Sequence, residues 1–351
     1  MPTAIDIDQF LHLSEEFPVM DVRTPAEFRR GHIPRAYNVP LFDDEERAIV
    51  GTIYKQKGRQ PAIIKGLEVV GPKMSNIVVE AERIVNEGNE KKSTTILVHC
   101  WRGGMRSGSV SWLLEMYGYK VYTLKGGYKF FRRSVLASFN QPRNYLILGG
   151  RTGSGKTLIL QQLAVLGEQT VDLEKLAHHK GSSFGSFGEE VAPSQEQFEN
   201  KLALTLKKLN PNKTTWVEDE GRMIGKSVIP GGMWEHMRNA KIVYLDIPFE
   251  QRTNYLKSEY GKFSKEQLCS AIERITRRLG GMQTKQALEA LAQDDLKTAC
   301  EICLAYYDKS YDHGLNKRES NTVTKFKFET LDVELIAERL RNVPFDSAQG
   351  T

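Results

Sequence analysis

The stretch ILVHCWRGGMRSGS, from Ile96 to Ser109, joins an apolar run to a cysteine, a loop rich in glycine and arginine, and the start of a helix. The apolar run ends at Cys100 and predicts a buried strand, because uninterrupted apolar residues are typical of strands covered on both faces. A helix is expected from about Met105, with one apolar face made by Val110, Leu113, Leu114 and Tyr117. A strand, a tight loop and a helix in this order indicate an α/β fold.

The loop between this strand and this helix predicts an activated thiol. Its backbone N–H groups, the positive end of the helix and the arginine side chains would surround the sulfur of Cys100. Such surroundings lower a thiol pKa and bind an oxyanion, so Cys100 is the candidate nucleophile. The candidate anion cradle comprises Trp101, Arg102, Gly103, Gly104, Met105 and Arg106. A cysteine with only a packing role would leave the glycines and arginines of the loop unexplained.

The composition is that of an ordinary globular protein. The chain has 351 residues, of which 40% are apolar and 26% are charged, enough for two domains with separate cores. Acidic residues occupy the N-terminal stretch where a secretory signal would be basic, and no apolar run is long enough to span a membrane. The 4 cysteines do not suggest a disulfide framework, and Cys300 and Cys303 are expected to be neighbours in a helical core. We therefore expect a cytoplasmic protein without membrane contact.

The pattern of strands and helices divides the chain near residue 140. Residues 1–140 alternate short apolar runs with helical stretches and predict a small α/β domain with a mostly parallel sheet. The pattern restarts with NYLILGG and continues through TTWVEDE and AKIVYLDIP. A long helical region is expected from about Glu250, within a second domain of residues 141–351.

The second domain opens with GGRTGSGKT, which matches the Walker A pattern between a strand and a helix. In such a loop the backbone N–H groups and the lysine hold a diphosphate, while the threonine hydroxyl can reach Mg²⁺. The candidate diphosphate-binding residues are Gly150, Gly153, Ser154, Gly155, Lys156 and Thr157. The sequence thus predicts a P-loop NTPase-like domain.

Acidic residues follow a later strand of this domain. Glu218, Asp219 and Glu220 are candidates for metal ligands, a general base or an acidic clamp, and a solvated loop is the alternative. His178 and His179 lack partners at ligand spacing and are weak metal candidates. The stretch rich in glycine and serine that follows them suits contact with phosphate.

Basic and aromatic residues interleave in KGGYKFFRRSVLASFNQPR, from Lys125 to Arg143. Guanidinium groups meet phosphates and rings stack on bases in RNA complexes, which favours an RNA interface. The candidate contact residues are Lys125, Lys129, Arg132, Arg133 and Arg143, and a second basic cluster contains Arg274, Arg277, Arg278 and Lys285. A solvated helix followed by a linker is the alternative, and the net charge of +5 argues only weakly for a polyanionic partner.

The cysteine loop fits two classes of enzyme. The pattern His99-Cys100-x-x-Gly103-x-x-Arg106-Ser107 matches the tyrosine-phosphatase signature, in which the cysteine attacks phosphorus. The segment MDVRTPAEFRRGHIPRAYNVP and the later LKGGYK resemble rhodanese-family motifs, and rhodanese-type sulfurtransferases carry a chalcogen on their cysteine. The loop is one residue longer than the usual rhodanese loop, a variant that also occurs in phosphatases built on the rhodanese fold. The first domain is therefore expected to be rhodanese-like.

Over nearly its whole length the chain resembles the bacterial tRNA 2-selenouridine synthase family. The resemblance rests on the rhodanese-like motifs and on HCWRGGMRS, GGRTGSGKT, LEKLAHHKGSSFG and VEDEGRMIG. It implies conversion of wobble 2-thiouridine to 2-selenouridine in the lysine, glutamate and glutamine acceptor tRNAs. The implied route is geranylation of the sulfur by geranyl diphosphate, followed by displacement of the geranylthio group by selenium derived from selenophosphate.

The resemblance also assigns roles to particular residues. Cys100 stands at the position of the family's cysteine and would carry selenium as an S-selanylcysteine, and Lys156 is the Walker lysine. Lys180 stands where arginine is expected, a change that keeps the positive charge. No tightly bound cofactor is expected, although Mg²⁺ is compatible with the P-loop. We hypothesise that residues 125–143 and 51–66 line the path of the tRNA.

A second combination of activities also fits these motifs. The first domain would then be a rhodanese-fold cysteine phosphatase or sulfurtransferase, joined to a P-loop ATPase or kinase. A phosphatase would release phosphate from an aryl phosphate through Cys100, whereas an ATPase or kinase would turn over ATP without tRNA.

Overall fold

The computed structural model describes residues 2–87, 94–180, 188, 190–315 and 322–343. The chain forms two compact units, one comprising Met1–Ser138 with Glu199–Lys201 and the other Phe139–Phe198 with Leu202–Thr351. Each is an α/β unit around a parallel sheet, as the sequence predicts. Among the described residues, none of the helices has the length and apolar character needed to cross a membrane.

The first unit is built around a parallel sheet. Its strands are β1 (Thr3–Ile5), β2 (Val19–Asp21), β3 (Tyr37–Asn38), β4 (Thr95–His99) and β5 (Lys120–Leu124). They lie in the order β1–β5–β4–β2–β3, which makes β4 the central strand. Its helices are α1 (Ile7–Leu13), α2 (Pro25–Arg30), α3 (Asp44–Lys57), α4 (Arg59–Val70), α5 (Met74–Glu87), α6 (Met105–Tyr117) and α7 (Gly127–Ser138), with a 3₁₀ turn at Gly71–Lys73.

The central strand β4 carries the cysteine to the edge of the sheet. Its interior residues are fully buried because helices cover both faces, and α6 packs Val110 and Leu114 into the same core. Tyr117, which was expected on this apolar face, is 54% exposed because it is the last residue of α6 before the left-handed Gly118. The strand ends at His99, so Cys100 lies at the carboxyl edge of a parallel sheet, where α/β folds commonly bind ligands.

The second unit contains a parallel sheet and a small hairpin. Its strands are β6 (Tyr145–Gly150), β7 (Gln169–Val171), β8 (Thr215–Glu218), β9 (Met223–Ile224), β10 (Ser227–Val228), β11 (Lys241–Asp246) and β12 (Val323–Lys327). The main sheet has the order β12–β11–β6–β8–β7, and β9 pairs with β10 in antiparallel fashion. Its helices are α8 (Lys156–Val165), α9 (Leu173–Ala177), α10 (Gln195–Lys207), α11 (Gly231–Asn239), α12 (Phe249–Tyr260), α13 (Lys265–Arg274), α14 (Thr276–Leu279), α15 (Gly281–Ala292), α16 (Leu296–Leu315) and α17 (Val333–Arg341).

The C-terminal region departs from the expectation of an all-helical segment. Helices α12 to α16 follow one another as predicted, but β12 then returns to the sheet and pairs in parallel with β11, with Ile242 opposite Val323. In the segment VTKFK three of the five residues are exposed and two are partly buried, so its apolar signal is weak. Its strand conformation depends on the long-range pairing with β11, which local sequence patterns do not report.

Candidate functional site

The sulfur of Cys100 is surrounded by hydrogen-bond donors. The residue is 3% exposed, and its Sγ lies 3.2 Å from the hydroxyl oxygen of Ser107. Burial raises the thiol pKa, but the hydrogen bond with the Ser107 hydroxyl and those from the backbone N–H groups of Gly104, Ser107 and Arg102 lower it by a larger amount. The net pKa of Cys100 is below its usual value, so the loop favours the thiolate that a nucleophile requires.

The LKGGYK segment after β5 holds the cysteine loop in this shape. The N–H of Tyr128 donates to the carbonyl of Cys100 and the N–H of Lys129 to that of Trp101, each at 2.9 Å. Gly127 adopts a φ of +59°, and a Cβ there would lie 2.4 Å from the Cys100 carbonyl oxygen. Two loop carbonyls are thus paired with this segment, while loop N–H groups face the sulfur.

Arg106, a predicted member of the cradle, is paired with a carboxylate. Its guanidinium donates to the Glu27 carboxylate at 2.7 Å, and Glu27 also caps α2 through the N–H of Thr24. Burial raises the pKa of Glu27, but the bonds from Arg106 outweigh it and keep the pKa below its usual value. The positive charge of Arg106 is therefore balanced by Glu27, whereas the groups placed at the sulfur are backbone N–H groups and the hydroxyl of Ser107. Sequence analysis left out Ser107, although it is the last residue of the quoted signature.

The Asp-x-Arg motif forms a buried ion pair that contacts the segment holding the cysteine loop. Arg23 donates to both carboxylate oxygens of Asp21 and to the carbonyl of Gly31, and its guanidinium stacks 3.7 Å from the ring centre of Tyr128. Both charged side chains are at most 1% exposed. These contacts tie β2 and the Gly-His-Ile-Pro segment to α7, which carries the LKGGYK glycines.

Replacing Ser107 with alanine should raise the Cys100 pKa. The substitution removes the largest hydrogen-bond contribution to the thiolate while burial remains, so the thiolate should form only at higher pH. Ultraviolet titration of the thiolate, corrected with Cys100→Ser, measures this shift. Ser109→Ala is the matched control. Each hydroxyl donates at 3.1 Å to the carbonyl three residues earlier, that of Gly104 for Ser107 and that of Arg106 for Ser109, but the described contacts place only the Ser107 hydroxyl at the Cys100 sulfur. An equal titration curve for both alanine variants would contradict the assignment.

The P-loop of the second unit connects β6 to α8. The ammonium group of Lys156 donates to the carbonyl of Gly150 at 3.0 Å, folding the lysine back over the loop. Thr157 donates to Glu174 Oε2 at 3.2 Å, which places a hydroxyl and a carboxylate at the start of α8. A helix N-terminus with free N–H groups and a lysine is suited to a diphosphate.

Helix α16 fixes this loop through contacts that sequence analysis did not find. The Tyr311 hydroxyl accepts from the N–H of Gly150 and donates to Asp219, each at 2.9 Å. Next to it, Arg151 pairs with Asp312 at 2.8 Å. Partners 161 residues apart leave no local pattern, so only the tertiary structure reveals them.

A second pair links α12 and α16 to the same loop. Arg252 is 2% exposed, donates to the Thr152 carbonyl at 3.1 Å and pairs with Asp308 at 2.7 Å. A buried arginine that satisfies a loop carbonyl and a carboxylate together restricts the conformation of the loop. These contacts make Arg252 and Asp308 positioning residues for the P-loop.

Three carboxylates meet beside the P-loop. Oxygen atoms of Glu174, Glu218 and Glu220 all lie within 4.8 Å of one another, whereas Asp219 accepts from Tyr311. Burial, with a smaller contribution from Asp172, raises the pKa of Glu174 to about 7. Burial and the neighbouring Glu174 carboxylate raise the pKa of Glu220 to about 8 and that of Glu218 well above its usual value. Glu218 and Glu220 were predicted here, and Glu174 was missed because it comes from α9.

The cluster fits a divalent cation. Glu218 Oε1 is buried and has no hydrogen-bond partner among the described residues, which is costly unless a cation or a proton satisfies it. Oxygen ligands of this kind suit Mg²⁺, which would be held by Glu174, Glu218 and Glu220 and would supply positive charge to a neighbouring diphosphate.

Magnesium should therefore stabilise the protein through this cluster. Glu218→Gln removes a carboxyl group from the crowded cluster and should raise the thermal midpoint in the absence of Mg²⁺ by about 2–4 °C. It should also remove most of the further rise that Mg²⁺ causes in the wild type. Glu259→Gln is the control, because this carboxylate lies in the same cleft outside the cluster. A Mg²⁺ response retained by Glu218→Gln and lost by Glu259→Gln would place the ion elsewhere.

Comparison with known proteins links both sites to one family. Residues 143–339 match the family described as the tRNA 2-selenouridine synthase AAA domain, and residues 6–134 match the rhodanese-like domain. A tRNA 2-selenouridine synthase of Proteus mirabilis is 34% identical, covering 91% of this chain and 95% of the relative. The chain belongs to the tRNA 2-selenouridine synthase family.

Further relatives are similar over most of their length. A tRNA 2-selenouridine synthase of Marinobacter nauticus is 33% identical, covering 93% of this chain and 96% of the relative. Another, from Shewanella denitrificans, is 34% identical and covers 88% and 91%. The fold class expected from the sequence, a rhodanese-like domain followed by a P-loop domain, is confirmed for this member of the tRNA 2-selenouridine synthase family.

The basic stretch from Lys125 to Arg143 of this family member contains exposed cations and cations paired with protein groups. Lys125, Lys129 and Arg133 are exposed. Arg132, by contrast, pairs with Glu199 and donates to Asn200, and the Arg143 guanidinium donates to the carbonyl of Leu206 at 2.6 Å. The exposed set therefore remains the candidate tRNA contact, and the other two arginines hold protein groups together.

The remaining candidates in this tRNA 2-selenouridine synthase family member are a histidine, the stretch after it and two cysteines. His178 Nδ1 lies 3.1 Å from the Val191 carbonyl oxygen, and the described residues include no metal-binding group around it. The predicted phosphate-contacting stretch at 181–187 lies outside the described residues. Burial raises the pKa of Cys300 to about 12 and of Cys303 to about 11, so both are neutral core thiols, as expected.

Proposed function

We propose that this chain converts wobble 2-thiouridine of the lysine, glutamate and glutamine tRNAs into 2-selenouridine, and that each unit supplies one chemical step. The second unit binds geranyl diphosphate at its P-loop and transfers the geranyl group to the sulfur of the nucleoside. The first unit releases selenium from selenophosphate at Cys100, and the selenium displaces the geranylthio group. A tRNA substrate supports a cytoplasmic location.

The proposal depends above all on the hydrogen bonds around the Cys100 sulfur. These bonds lower the pKa of Cys100 despite its burial, whereas burial alone raises the pKa of Cys303 to about 11. Donors that stabilise a thiolate also suit the oxygens of an incoming oxyanion such as selenophosphate. The P-loop and its acidic cluster support the separate diphosphate-dependent step.

Electron balance decides which covalent species forms on Cys100. Selenium in selenophosphate is already at the oxidation level of selenide. Attack of the thiolate on phosphorus forms an S–P bond, breaks the P–Se bond and releases selenide without a change in oxidation state. Selenide then attacks C2 of the geranylated nucleoside, and the geranylthiolate leaves with the electrons of the C–S bond. Hydrolysis of the phosphocysteine returns free Cys100 and phosphate.

The S-selanylcysteine that the family resemblance implies is the competing species. Its formation from selenophosphate would leave the phosphorus reduced, so we propose the phosphocysteine instead. Intact-protein mass spectrometry after mixing with selenophosphate separates the two, because selenium adds a broad isotope pattern and phosphorus does not. A selenium isotope pattern on Cys100 would establish S-selanylcysteine and overturn the phosphoryl-transfer step.

The function itself is tested by nucleoside analysis. Purified protein is incubated with thiolated tRNA, geranyl diphosphate and selenophosphate, and the digested nucleosides are examined by mass spectrometry. We expect S-geranyl-2-thiouridine followed by 2-selenouridine. If neither forms, the proposal is wrong. Release of phosphate from an aryl phosphate would then favour the phosphatase, and ATP turnover without tRNA would favour the ATPase or kinase.

Binding of tRNA should depend on salt through the exposed set of cations. Lys129→Ala with Arg133→Ala should reduce the slope of log affinity against log salt by about 2, since each phosphate contact contributes about 1. Arg132→Ala is the contrasting variant, because this guanidinium is already paired with Glu199, and it should leave the slope unchanged. Filter binding across a salt series measures both. An unchanged slope in the double variant would remove α7 from the tRNA path.

A further inference from the structure

The second unit has an apolar surface beside its P-loop that a diphosphate alone does not require. The cleft that contains the P-loop and the three carboxylates has a volume of about 470 Å³, within the range of small-molecule sites. Part of its lining comes from α12, the loop after it and α16. We call this part the apolar wall, which consists of Tyr255, Leu256, Tyr260, Phe263 and Tyr307.

The apolar wall begins in contact with the P-loop. The Cγ of Leu256 lies 3.1 Å from the position that a Cβ would occupy on Gly153. Gly153 has a φ of +80° and faces α12 at this point, so the helix packs directly against the loop. A chain attached to a diphosphate in the P-loop would therefore meet this wall within its first few carbon atoms.

A second, smaller cavity, which we call the inner cavity, shares residues with the wall. Four residues line both this cavity and the cleft, namely Thr152, Leu256, Tyr260 and Tyr307. The other residues around it are apolar or neutral thiols, namely Leu268, Ile272, Leu291, Leu296, Ala299, Cys300, Cys303 and Leu304. Its volume of about 20 Å³ is close to that needed for one water molecule, so the side chains that line both spaces leave little room between the cleft and the inner cavity.

We propose that the apolar wall binds the prenyl chain of the diphosphate substrate, and that the Tyr307 ring limits the length of that chain. This inference rests on the proposed function, since it locates the apolar part of the substrate already assigned to the P-loop. A cleft with a lysine and helix N–H groups at one place and five apolar or aromatic side chains beside them matches a ligand with an anionic head and a hydrocarbon tail.

Binding of diphosphates with different chains to the full-length protein tests the proposal. Isothermal titration calorimetry with Mg²⁺ compares inorganic, geranyl and farnesyl diphosphate, with ADP as a nucleotide. The wild type should bind geranyl diphosphate roughly a hundredfold more tightly than inorganic diphosphate, because burial of hydrocarbon is favourable. Tyr307→Ala should open the cleft into the inner cavity and raise the affinity ratio of farnesyl to geranyl diphosphate about tenfold. Adding Ala299→Leu should refill the inner cavity and cancel that gain.

Tyr306→Ala is the matched control. Tyr306 is the neighbouring residue on α16 and packs against the same hydrophobic cluster, but it does not belong to the described lining of either cavity. It should leave the ratio of farnesyl to geranyl affinity unchanged. If the two tyrosine variants change this ratio equally, or if neither changes it, the wall is not the prenyl site, although the proposed function stands. If inorganic diphosphate or ADP binds the wild type as tightly as geranyl diphosphate, both the site and the geranylation step are wrong.

Discussion

Cys100→Ser should abolish selenation and cause geranylated tRNA to accumulate. A serine hydroxyl is not ionised near neutral pH and is a far weaker nucleophile than the thiolate, so selenation should fall by at least about a thousandfold. Geranylation should continue at close to the wild-type rate, because the diphosphate cradle belongs to the second unit and keeps its residues. A time course of both nucleosides by mass spectrometry measures the two steps separately.

Cys269→Ser is the control for this experiment. Cys269 is a half-buried thiol on α13, far from the cysteine loop in sequence, and its replacement should preserve both steps. The decisive contrary result is a Cys100→Ser protein that is folded and binds tRNA but no longer geranylates it. The two steps would then share Cys100, and the assignment of one step to each unit would be wrong.

Lys156→Ala should block the first step and, with thiolated tRNA as substrate, the whole conversion. The substitution removes the positive charge that neutralises the leaving diphosphate, and loss of one such group in an enclosed site costs about a hundredfold to a thousandfold in rate. Pre-geranylated tRNA should restore selenation to Lys156→Ala, because the cysteine loop is intact. The same substrate should not rescue Cys100→Ser.

Lys175→Ala controls for the loss of a positive charge in this unit. Lys175 is exposed on α9 and does not belong to the described lining of the cleft, so both steps should proceed in its absence. Failure of pre-geranylated tRNA to rescue a folded Lys156→Ala protein would show that the P-loop also serves selenation. Undiminished geranylation by this variant would show that the diphosphate binds elsewhere.

Much of the fold follows from patterns that are local in the chain. The strand that ends at His99 and the helix that begins at Met105 were predicted because each buries a regular set of apolar residues. The edge strand β12 was not predicted, since VTKFK is mostly exposed and pairs only with β11, which lies more than 75 residues earlier in the chain. A strand whose conformation depends on a distant partner carries little signal of its own.

The sequence by itself determined the chemistry that is built from backbone groups. A cysteine followed by a glycine-rich loop, and a Walker A loop between a strand and a helix, place N–H groups around an anion through local conformation alone. These motifs also allowed the related families to be recognised from the sequence, and comparison with relatives confirmed the fold class.

Only the tertiary structure decided which side chains complete the two sites. Arg106 pairs with Glu27, 79 residues away, and Glu174 joins Glu218 and Glu220 from a separate helix. Tyr311 reaches Gly150 across 161 residues. The orientation of a side chain is set by the partner that satisfies its charge or hydrogen bond, and that partner is brought near by the packing of whole elements. Spacing along the chain does not encode such pairings, so the donors of the loops were predictable and the side-chain contacts that balance and position them were not.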